Sequence, residues 1–135
     1  MLSEFSFCGQ LWKIVNNESY EVDSGVHCDN YQIIGDSEQD LAMIKVSPNA
    51  RTPRQLVKYG EKTIEVFLEG SGKLFVENER GEVVEHHFSK GQNGNFVLIS
   101  IGDKMQWIAG ENGLLFAEIC KPPYREGRFI NIDNE

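Results

Sequence analysis

Histidine, cysteine and basic residues are all scarce in this chain of 135 residues. Three cysteines, Cys8, Cys28 and Cys120, are widely spaced and form no C-x-x-C pair, which argues against a disulfide framework or a zinc ribbon and for free thiols in a reducing compartment. Lys and Arg number 13 against 21 Asp and Glu, and the formal net charge of −8 argues against nucleic acid and anionic membranes as partners. No apolar stretch approaches the ~20 residues that a spanning helix needs. The N-terminal MLSEFSFCGQLWKIVNNESY lacks the basic start and apolar run of a signal peptide, so the default expectation is a cytoplasmic protein. Tryptophan occurs twice and proline four times, and no repeat or low-complexity segment is visible.

What is present is alternation. The composition, 40% hydrophobic and 25% charged, is that of a globular chain, and its length suits one domain, residues 1–135, able to bury roughly two-thirds of its unfolded surface. Short apolar or alternating runs recur, separated by Gly, Asn, Asp and Pro: LAMIKV (41–46), TIEVFLEG (63–70), KLFVE (73–77), EVVEHHF (82–88), NFVLIS (95–100), MQWIA (105–109) and LLFAEIC (114–120). Their roughly 8–12-residue spacing predicts an all-β sandwich or barrel with little helix. Residues 1–40 fit no period well and are expected to form an extension, strands or a short helix, packing on the barrel. The tail REGRFINID is expected along its outside.

From about residue 41 onward the chain resembles the cupin superfamily of double-stranded β-helix (jelly-roll) barrels. The family's second motif, G-x5-P-x-G-x2-H-x3-N, falls on Gly94 and Gly102, with Ser100, Met105 and Ala109 where Pro, His and Asn would stand. The first motif, G-x5-H-x-H-x3–4-E-x6-G, closes on Gly70 in VFLEGSGKLFV. Counting back, its Glu position holds Thr63. Its two His positions fall on Leu56 and Lys58, on Val57 and Tyr59, or, in a gapped alignment, begin at Gln55. EICKPPY also looks like the strand-end Pro-Pro-aromatic of many cupins.

The resemblance implies a jelly-roll barrel, a homodimer and, in the metal-dependent members, an interior ion held by three His and one Glu. None of those ligand types is kept here, so no metal and no other cofactor is expected. His86 and His87 are adjacent and would face opposite sides of a strand, and His27 with Cys28 is one adjacent pair in a presumed loop, so neither rebuilds the set.

The remaining chemistry is organic. If Thr63 faces inward, so do Glu65 and Phe67; the opposite phase would instead bury Ile64, Val66 and Leu68 and leave Glu65 in solvent. A buried carboxylate has a raised pKa and suits general acid/base work, with Glu65 and Tyr59 as the catalytic candidates. Gln55, Lys58, Thr63 and Phe67 are candidate ligand contacts. Met105 and Trp107 share a strand face and make an apolar wall, and Glu118 is a charge on an otherwise apolar strand. Two functions follow. One is a metal-free barrel that binds a small organic ligand, sugar-like or aromatic, without redox chemistry. The other is a metal-independent isomerase, epimerase or lyase working on a carbohydrate or hydroxy-carbonyl substrate.

Overall fold

A computed structural model describes residues 3–132. Among them there is no helix, and ten strands form one antiparallel sheet that wraps upon itself. The strands are β1 (Glu4–Phe7), β2 (Gln10–Asp23), β3 (Val26–Ile33), β4 (Asp36–Val46), β5 (Arg54–Val57), β6 (Lys62–Glu77), β7 (Val83–Phe88), β8 (Phe96–Ile99), β9 (Lys104–Lys121) and β10 (Phe129–Ile132). The order β1-β2-β3-β4-β9-β5-β10 is completed by β6, which pairs with β7, β8 and β9.

Two pairs of expected strands are single elements. Gly70-Ser71-Gly72 and Gly110–Gly113 are not hairpin turns but corners within β6 and β9, which pair along almost their whole length. The register shifts there, and the inward phase flips with it. In β6 the inward residues are Thr63, Glu65 and Phe67 before the corner and Leu74 after it; in β9 they are Met105, Trp107 and Ala109, then Leu114 and Phe116. Glycine is required at the corner. Gly70 has φ +92, and a Cβ there would meet the carbonyl of Gly113.

Alternation does not give the phase of β6 because both faces of residues 63–67 are buried. Phe67, Leu74, Phe88, Trp107 and Phe116 belong to the barrel interior. Ile64 and Val66 point outward, yet they are covered by a second apolar layer built with Phe5 of β1, Ile14 of β2, and Tyr31 and Ile33 of β3. Residues 4–33 are therefore three strands, with no short helix. His27 lies in β3 rather than in a loop. The tail departs from expectation too: β10 pairs with β5 as a sheet strand, and Arg128 just before it turns inward to 0% exposure.

Candidate functional site

The half of the barrel interior near Met105 is solid. Phe67 stacks on Phe88 at 5.1 Å, Phe88 lies 5.5 Å from Trp107, and Trp107 stacks on Phe116 at 4.5 Å. Such aromatic pairs add about 0.5–1.5 kcal/mol each beyond area burial. Trp107 is pinned by Thr52, whose hydroxyl accepts the Trp107 backbone N–H at 3.0 Å and whose own N–H donates to the Trp107 carbonyl at 2.9 Å. Met105 and Trp107, 3% and 2% exposed, are core. The expected apolar pocket wall is a packed aromatic pile instead.

The open space lies beyond Phe116. A cavity of about 400 Å³ is lined by residues of β2, β3, β4, β5, β10 and the end of β9. Phe116 and Phe129 give it apolar faces; Gln55, Asn30, Asn131 and Glu118 give it polar ones. Gln55 Nε2 donates to Asn131 Oδ1 at 3.1 Å, which sets the two amides side by side. No Lys or Arg is among the described residues that line it.

Of the expected site residues, Gln55 and Glu118 reach this cavity and the others do not. Lys58 follows the end of β5 and is exposed, next to Val57, which takes the inward position. Tyr59 donates its hydroxyl to the Arg125 carbonyl at 3.1 Å, so it braces a loop and is no candidate acid. Phe67 is core. Thr63 is buried, and its hydroxyl accepts from Arg128 at 2.9 Å.

Glu65 faces inward at 1% exposure, one layer behind the cavity. Trp107 Nε1 donates to its Oε1 at 2.9 Å, and Glu118 on β9 is its direct cross-strand partner. Its Oε2 is buried and accepts no hydrogen bond. An oxygen in that position is where a carboxylic proton belongs. Burial pushes Glu65 well above the usual carboxylate range, and the neighbouring Glu118 charge and hydrogen bond raise it further. Burial raises Glu118 as well, and the hydrogen bond from Glu65 and the positive charge of Arg128 offset only part of that rise. Two carboxyls raised together in one buried site favour keeping one proton between them.

Arg128 carried no signal in the sequence, sitting in a polar tail. It donates to the carbonyls of Pro122 at 2.7 Å and Lys62 at 2.6 Å as well as to Thr63. Gly60 makes room for it: at φ +125, any Cβ there would collide with the guanidinium. The cavity thiols are not ready nucleophiles. Burial pushes Cys28 up to about 12 and raises Cys120 well above its ordinary value, to which the Glu118 charge adds.

The metal of metal-dependent cupins does not fit this donor set. Fe, Mn, Ni or Zn in such a site needs imidazole and carboxylate donors. The positions concerned hold a threonine hydroxyl already bonded to a fixed guanidinium, a sealed methionine, and side chains with neither imidazole nor carboxylate: Gln55, Leu56, Val57, Lys58 and Tyr59. Glu65 Oε1 is committed to the indole N–H. Among the described residues no group of three His, Cys, Asp or Glu could hold an ion. His86 and His87 lie on β7, with exposed His87 paired to Glu85 at 3.0 Å. His27 sits between Glu21 and Asp29 on the outer surface.

No family model matches the sequence, and no curated protein does. Solved structures match it closely in shape. Oxalate decarboxylase from Bacillus subtilis aligns with a TM-score of 0.71 at 15% identity, over 97% of this chain and 32% of that one. The Lactobacillus farciminis oxalate decarboxylase formate complex aligns at 0.69 and 17% identity, over 85% of this chain and 33% of that one. This chain thus spans about a third of their length, and at such identities the likeness concerns backbone alone. Among the described residues no helix is long and apolar enough to cross a membrane. An antiparallel sheet wrapped round one aromatic interior, with shape matched across nearly the whole chain, gives this protein the cupin fold.

Proposed function

We propose that the protein binds a small, uncharged organic molecule, sugar-like or aromatic, without redox chemistry, in the cavity between Phe116 and β10. The supporting observation is the cavity itself: about 400 Å³, within the range of small-molecule sites, with ring faces opposed to amides that both donate and accept. Acidic Glu118 and Asp40 among its walls, without a lining cation, disfavour an anionic ligand. Calorimetric titration with neutral hexoses and aromatic alcohols tests this. At least one should bind, and Gln55→Ala should weaken it about tenfold, the effect of one lost buried hydrogen bond. No binding from either class would overturn the proposal, as would purification with near one transition-metal ion per chain.

The carboxyl pair favours one second function, metal-independent isomerisation, epimerisation or elimination on a carbohydrate or hydroxy-carbonyl substrate. Glu118 would take a proton from a carbon acid and return it to carbon in an isomerisation or epimerisation, or pass it to the departing hydroxyl, which leaves as water, in an elimination, while Glu65 and Trp107 fix its position. If turnover is found on such substrates, Glu118→Gln should lower kcat at least about 100-fold, as loss of a general base does. An unchanged kcat would rule out this role.

A further inference from the structure

The cavity is not closed on its β3 side. A second groove of about 660 Å³ runs over β3 and the β3–β4 hairpin, and it shares Asn30, Asp40 and Tyr124 with the inner cavity. Tyr124 stands at the junction. Its backbone N–H donates to Asp40 Oδ2 at 3.0 Å, and its ring lies 5.9 Å from Phe129, which tethers the residue where the two spaces meet. Beyond it the groove is lined by Asn17, Gln32, Ser37 and Gln39, with the Tyr124 ring at its junction end. Amides and hydroxyls that can each donate and accept, beside aromatic faces, suit a ligand whose surface alternates hydroxyl groups with C–H faces.

Charge narrows the class. Asp36 in the groove accepts the Glu38 N–H at 2.9 Å and Gln39 Nε2 at 2.8 Å, and these bonds hold its carboxyl below its ordinary range, so it remains an anion. Neither space has a Lys or Arg among its described lining residues. Uronic or phosphorylated units would meet only negative charge.

The geometry points to an extended ligand, a neutral saccharide of two or more units, with one unit in the inner cavity, the next along the outer groove, and Tyr124 at the junction. This rests on the small-ligand proposal above and specifies its substrate class.

The test compares glucose, galactose and N-acetylglucosamine with maltose, cellobiose, β-1,4-galactobiose and chitobiose, by calorimetry on the wild type and Gln39→Ala. Side-chain amide shifts of the 15N-labelled protein are followed in parallel. At least one dimer should bind ten-fold or more tighter than its monomer and shift both Asn131 in the inner cavity and Gln39 in the groove. Gln39→Ala should cut that advantage to under three-fold. Dimers binding no tighter than monomers, with shifts confined to Asn131 and Gln55, would overturn the extended site and leave the small-ligand proposal standing. If no saccharide of either size binds, the extended site is overturned, and the aromatic alcohols alone decide the small-ligand proposal.

Discussion

Replacing Arg128 with Met should destabilise the fold by about 3–5 kcal/mol, because each buried acceptor left without a donor costs about 1–3 kcal/mol. Three acceptors lose their partner at once: the carbonyls of Lys62 and Pro122 and the hydroxyl of Thr63. The methionine fills part of the volume, so the loss is of hydrogen bonding and charge rather than of packing. It also removes the cation that draws down Glu118 and Asp40, so both carboxyls should rise further. Arg128→Lys should not recover the loss. An ammonium on a flexible stem cannot present the planar fork that meets carbonyls from two segments and a side chain together. Urea unfolding of the three proteins measures this directly. A cost below about 1 kcal/mol for Met would show that the guanidinium is not the tie between β10, β6 and the end of β9.

Glu65→Gln should change how stability depends on pH. The sign follows from the raised pKa: above the unfolded-state value, ordinary for a glutamate, the folded protein keeps a proton that the unfolded chain releases. Wild-type stability is then fully present at acid pH and declines as pH rises toward the folded-state value, by at most about 1.4 kcal/mol per pH unit for one such proton. Gln at this position keeps an oxygen for the Trp107 N–H and supplies an N–H toward Glu118 without any proton to lose. The variant should match the wild type near pH 5 and exceed it increasingly above neutrality. Guanidinium melts at a series of pH values read this out; parallel curves for the two proteins would mean that Glu65 is ionised in the fold. Trp107→Phe provides the complement, since it removes the donor to Oε1 and should lower stability most at high pH, where the carboxylate needs that bond.

How far the sequence carried these conclusions depended on the kind of signal. Period-two alternation and evenly spaced glycines were enough for an all-β barrel, and Gly94, Gly102 and Gly70 for the cupin resemblance. Alternation failed where an assumption behind it failed. It treats a strand as having one wet face, and residues 63–67 of β6 have none once β1, β2 and β3 cover their outer side. It also reads glycine clusters as chain reversals. In β6 and β9 they are corners where a long strand continues with its phase inverted. That inversion separates the two halves of the expected site: Met105 and Trp107 go to the aromatic pile, and Glu118 goes to the cavity. Glu65 and Glu118 were both legible as odd charges in apolar strands, but their pairing was not, since it depends on register between strands some fifty residues apart in sequence. Arg128 was invisible because nothing local distinguishes an arginine that turns inward from one that stays in solvent.

The chemistry proposed above rests on one proton held between Glu65 and Glu118, with the Trp107 indole donating to Glu65 Oε1, beside the cavity beyond Phe116. Difference infrared spectroscopy of the wild type against Glu65→Gln near neutral pH tests it most directly. The wild type should show a carbonyl band of one protonated carboxylic acid that is absent from the variant and shifts when a ligand enters the cavity. A difference spectrum with only ionised-carboxylate bands would contradict it.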